Sequence, residues 1–130
     1  MAKATIGDLE GGLALCAWFE GAPSFHDATL HELELRQGAP SRLVASTFRM
    51  EPEVDSQGYF ILTKHVDVTF TISDLIEVEL FEFTEAAIMF GLDIEIDKDG
   101  IMLKFSSSYG VHGQIKAKRI VVSFEPKQSK

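Results

Sequence analysis

Apolar and polar positions change period once along this chain. Ile6, Leu9, Leu13 and Cys16 recur at steps of three and four, with Trp18 and Phe19 closing the stretch, which predicts one helix near the N-terminus. Gly11 and Gly12 fall inside that span. An interior glycine costs about 1 kcal/mol relative to alanine, so such a helix must be held by packing on the rest of the chain. The turn formers of residues 20–24 end it, and from there the period is two.

Leu33 and Leu35 alternate with Glu32, Glu34 and Arg36, which predicts a strand at about 28–36; a second fits 42–50. Residues 51–58 are polar, contain Pro52 and Gly58 and lack an apolar period, so they read as an exposed loop. A strand at about 59–73 follows, with Val66, Val68, Phe70 and Ile72 on one face, and another at 76–80 begins after a bend at Ser73 and Asp74. The run 81–91 fits a short helix, a buried turn or part of a strand equally well. Leu92, Ile94 and Ile96 face Ile101, Leu103 and Phe105 across Asp97-Lys98-Asp99-Gly100, whose closing Asp-Gly signals a hairpin. Residues 106–113 read as a loop, 114–124 as the final strand and 127–130 as a loose tail. The expected fold is α+β: a mainly antiparallel sheet, either a sandwich or a partly open barrel, with one N-terminal helix, all in a single domain over 1–130.

Composition narrows the function classes. With 130 residues, 45% of them hydrophobic, the chain is large enough for a core of its own. Its single cysteine, Cys16, forms no internal disulfide and reads as a small core residue in a reducing, cytoplasmic setting. A net charge of −8 argues against nucleic acid as a partner, because phosphate affinity comes from Lys and Arg. No apolar run approaches the roughly 20 residues that span a bilayer, so no membrane role is expected.

The charge is unevenly placed. Between Asp74 and Asp99 stand nine acids and one base, whereas from Gly100 onward there are six bases and one acid. Because Glu77, Glu79 and Glu95 alternate with apolar neighbours, the carboxylates of Glu77, Glu79, Asp93, Glu95 and Asp97 are expected on solvent faces of their strands, where they would draw a cationic partner. The plainer alternative is a solvated face partly neutralised by Lys104, Lys116 and Lys118 on neighbouring strands.

Other chemistry is thinly signalled. His26 adjoins Asp27, His31 adjoins Glu32, His65 lies two residues from Asp67, and His112 sits among glycines, but neither HExxH nor paired Cys and His is present, so no metal and no cofactor are expected. His26-Asp27 reads as a polar corner before the first strand rather than a catalytic pair. Ser106-Ser107-Ser108 lacks the GxSxG elbow, and no catalytic residue is assigned. Tyr109 is a candidate interface anchor, and some of the aromatic residues of 81–90 are candidates to surface at an interface.

Trp18-Phe19, then Pro23-Ser24-Phe25-His26-Asp27-Ala28 leading into an acidic strand, Gly58-Tyr59-Phe60, Lys64-His65 and Val68-Thr69-Phe70 follow in order, with Phe90-Gly91-Leu92, Ser107-Ser108-Tyr109-Gly110 and Val121-Val122 after them. That ordered set, over roughly residues 18–124, resembles the bacterial immunity protein 50 family; residues 1–17 lie outside it. The resemblance implies a non-catalytic antidote that binds and occludes a cognate toxin of the same bacterium, and it carries over no catalytic residue. A structural or assembly module, homodimeric through a strand edge, and a small-ligand-binding β-rich domain are the alternatives.

Overall fold

The computed structural model describes residues 2–127. Among these, seven strands form one antiparallel sheet: β1 (Ala2–Ala4), β2 (Thr29–Glu34), β3 (Ser41–Val54), β4 (Phe60–Phe81), β5 (Ala87–Ile96), β6 (Ile101–Tyr109) and β7 (His112–Pro126), with a 3-10 turn at Ile6–Asp8 and one helix, α1 (Gly12–Phe19). The order is β1-β5-β2-β3-β4-β7-β6, and β6 also pairs with β5, so six of the strands make a ring. The seam is narrow: β5 meets β2 at only Ala87 and Ile88, and its far end is taken up by β1. This is the expected α+β fold in its partly open barrel form.

Alternation fills the interior. Leu43 and Ala45 of β3, Val66, Val68, Phe70 and Ile72 of β4, and Ile115, Ala117, Ile120 and Val122 of β7 are buried together with Met89, Leu103 and Phe105. Phe25, from the corner before β2, lies against Phe70 with ring centroids 5.9 Å apart. Helix α1 adds Leu15 and Phe19, and Trp18 packs on Phe124 at 5.7 Å. An eight-residue helix is marginal alone, so this packing holds it.

Several boundaries differ from the sequence expectation. The N-terminal apolar period is shared between the 3-10 turn, which buries Ile6 and Leu9, and α1, which leaves Leu13 exposed. Gly11 and Gly12 stand at the helix start, not in its interior. Residues 51–58 are not all loop: β3 continues to Val54, which pairs with Phe60, and only residues 55–59 turn. The expected bend at Ser73 and Asp74 lies inside one continuous 22-residue strand: Asp74 holds φ 59°, and a bulge follows it, where the register shifts between Leu75 and Glu77. The undecided run 81–91 divides into the end of β4, a short connection and the start of β5. Residues 106–109 belong to β6, so the turn into β7 is only Gly110 and Val111. Of the tail, Lys127 is fastened, its N–H donating to His65 O at 2.7 Å and its ammonium 3.3 Å from Asp67; residues 128–130 lie outside the described part.

The N-terminal segment docks through its backbone. Val122 N–H donates to Glu10 O at 2.8 Å, and the Glu10 carboxylate forks with Arg119 at 2.7 and 2.9 Å. Gly11, at φ 85°, lies so close that a Cβ would fall 2.0 Å from Val122 O. Gly11→Ala is therefore expected to destabilise the fold by at least about 1–2 kcal/mol, the left-handed penalty alone before the clash is counted. Urea unfolding midpoints of the two proteins check this.

Candidate functional site

The strand registers lay out the outer face of β4, β7, β6 and β5 as rows. Glu77 stands opposite Lys116, Lys116 opposite Met102, Met102 opposite Glu95, and Glu95 opposite Lys3 of β1. In the next row Glu79 is opposite Gln114, Gln114 opposite Lys104, and Lys104 opposite Asp93. Directly opposed residues of antiparallel strands share a face. Glu77, Glu79, Asp93 and Glu95 thus lie in two rows of one face, with bases set between the acids, while Asp97 lies just beyond β5 in the hairpin turn.

Those bases neutralise part of it. The Lys104 ammonium is 2.9 Å from Glu95, and Lys116 is 3.4 Å from Asp97. Lys104, by direct hydrogen bonding, holds the Glu95 carboxyl below its ordinary range. Asp97 is held low first by the Asp99 backbone N–H, which donates to Oδ1 at 2.7 Å, then by Gly100 and Lys116. Asp97 therefore serves the β5–β6 hairpin as an Asx cap. Lys118, the third base considered from sequence, is exposed and makes no ion pair among the described residues.

Glu77, Glu79 and Asp93 differ. They are exposed and have no ion pair within 4 Å among the described residues. Beyond Glu79 the face turns aromatic: Phe81, half exposed, stacks on His112 with centroids 5.5 Å apart. Beside them lies an open groove of about 320 Å³, lined in part by Glu79, Phe81, Lys104, His112 and Gln114, where Gly113 adds no side chain. Tyr109 is exposed at the end of β6 opposite Ile88, on the β5 side. Comparison with protein families, with curated proteins and with solved structures finds no match.

The histidines are dispersed. His26 Nδ1 is 3.2 Å from Phe90 O, which accepts, and its Nε2 is 3.7 Å from Asp27 at an exposed corner. Phe25 and Asp27 there hold φ near 60°, and Asp27 N–H donates to Met89 O. The pair secures the start of β2 to β5. His65 packs against Phe48, while Asp67 accepts from Ser46 Oγ and pairs with Lys127. Among the described residues no group of three or more His, Cys, Asp and Glu is placed to hold a metal ion, and no helix is long and apolar enough to cross a membrane. Sequence reasoning had Phe81 only among the aromatic residues of 81–90 that could surface and did not join it to His112, and it missed Lys3, whose strand is three residues long.

The depressed carboxyls set a pH dependence. A carboxyl whose pKa is lower folded than unfolded stabilises the fold above its unfolded pKa, and the contribution is lost as pH falls through the folded value. Asp97→Asn, which keeps an acceptor but no charge, is expected to lower the unfolding midpoint at neutral pH. The gap from the parent protein should close below the carboxylate range, as urea titrations at both pH values would show.

Proposed function

We propose that this chain is a non-catalytic protein-binding domain of the antidote type, which occludes the cationic site of a cognate toxin in the bacterial cytoplasm. The observation that carries the reading is the trio Glu77, Glu79 and Asp93, exposed on one sheet face without internal ion pairs among the described residues and continuous with exposed Phe81. Unpaired carboxylates held on rigid strands repel one another, and a cationic partner relieves that repulsion while the aromatic side chain supplies area that water leaves on contact. Glu95 and Asp97 have a structural share in this scheme, since their partners lie within the chain. Tyr109 serves as an anchor only if the partner reaches around to β5. The immunity protein 50 resemblance supplies the class of partner, and occlusion needs no cofactor.

The test is co-expression in a bacterial host with the protein encoded immediately upstream. The expected outcome is protection of growth and a complex. Charge reversal by Glu77→Lys with Glu79→Lys should slow association about tenfold or more and flatten its salt dependence, because steering depends on unscreened charge. Association unchanged by both reversals would remove the acidic-face mechanism. Neither protection nor a complex would remove the antidote reading itself.

A further inference from the structure

Past the barrel, β3 and β4 run on together without neighbours. β2 leaves β3 at Ser46, and β7 leaves β4 at Val66, followed only by the Lys127 bond to His65. Residues 48–64 are thus a two-stranded ribbon, whose arm from Arg49 to Val54 reaches roughly 20 Å at about 3.3 Å per residue. Two strands alone are marginal in water, so something must hold their direction.

One face does that. Arg49 Nη1 donates to Phe19 O at 3.0 Å and to Glu20 O at 2.6 Å, at the carbonyl end of α1. Arg49 also lies 3.4 Å from Glu51, which accepts from Thr63 Oγ1 at 2.7 Å. Lys64 sits over the Trp18 ring at 5.0 Å and reaches Glu20 at 3.7 Å. The base of the ribbon is clamped to the helix.

The other face is apolar and uncovered by any described residue. Met50 pairs with Leu62 and Val54 with Phe60, and since Phe60 and Leu62 are two apart on β4, all four project to the same side. Met50, Val54 and Phe60 are each at least 50% exposed, and Leu62 is 37% exposed. The ribbon's bases, Arg49 and Lys64, are taken up at the clamp together with Glu51, which leaves Glu53 and Asp55 as its acids with no ion pair among the described residues.

We propose that this ribbon is a docking arm for a basic, apolar-faced protein segment, separate from the outer sheet face at the opposite end of β4. The charges choose the occupant. A second copy would bring Glu53 and Asp55 against their like in a protein already at −8, and an anionic lipid surface would be repelled in the same way. A segment that alternates or interleaves Lys or Arg with apolar side chains covers Met50, Val54, Phe60 and Leu62 while its cations meet Glu53 and Asp55.

The probe is a synthetic amphipathic peptide of Leu and Lys, with a Leu and Glu peptide of the same pattern as control, added to the full chain and followed by backbone amide NMR. Shifts confined to residues 48–64, with the Leu and Glu peptide silent, are expected. Phe60→Ser with Leu62→Thr should weaken binding about tenfold or more, as loss of central anchors does, while thermal melting shows the barrel intact. Met50→Ser is the substitute if that pair fails to fold. Three results overturn the proposal: equal binding by the ribbon variants, a parent dimer that these variants dissociate, or peptide binding abolished by Glu77→Lys with Glu79→Lys and untouched by the ribbon variants. The antidote reading is scored separately, by growth protection.

Discussion

Satisfying the backbone of β4 is the constraint on which the rest of the molecule depends. At 22 residues it far exceeds the usual strand of about 5–6, and each N–H and C=O along it needs a partner or water. No neighbour runs its whole length. β3 pairs with it from Phe60 to Ile72 and β7 from Val66 to Phe81, so only the middle third is flanked on both sides. That middle third carries Val66, Val68, Phe70 and Ile72, all with no exposed surface, and is the centre of the core. The two ends have one neighbour each, and both leave apolar side chains in contact with water.

The bulge between Leu75 and Glu77, just past Asp74, connects these regimes. Up to Ile72 the strand belongs to the β3 side of the ring; after Leu75 it continues with β7 alone. An extra residue at such a point bends the strand and increases its twist, which lets β4 leave one neighbour without breaking from the other. Its later part is then an edge strand, where charged side chains also discourage pairing with another copy. Glu77 and Glu79 stand there. β6 and β7 bring Lys104 and Lys116 between the acids of β4 and β5, but strand order alone does not decide which acids they neutralise: Lys104 stands opposite Asp93 yet reaches Glu95, and Lys116 stands opposite Glu77 yet reaches Asp97.

Much of this was legible residue by residue. The Asp97–Gly100 hairpin, the alternating centre of β4 and the shared face of the carboxylates follow from period two and turn chemistry. The misplaced boundaries have physical causes. Pro52 and the polar run around it hide a strand because the ribbon faces water on both edges, where proline costs no ladder bond. Asp74 looks like a turn residue, and it does hold a left-handed position, yet it does so within a strand, just ahead of the bulge between Leu75 and Glu77. Gly11 and Gly12 fit a helical period by spacing, while Gly11 lets the chain approach Val122 and Gly12 lets it approach the Ile6 carbonyl. The choice between sandwich and partly open barrel was beyond sequence reasoning, since ring closure depends on β5 meeting β2 through two residue pairs.

The histidines and the exposed apolar positions divide in a way that bears on chemistry. His26 and His65 are each engaged in holding one segment to another: a corner to β5 through Phe90 O, and the base of the ribbon through Phe48. The unused potential lies in apolar side chains that cost free energy in water and sit beside unpaired acids at both ends of β4. Burying them against a like-charged surface would set the gain from apolar area against repulsion among several carboxylates. Burying them against a cationic surface makes both contributions favourable. A cationic surface is therefore the covering for which the hydrophobic and electrostatic contributions have the same sign.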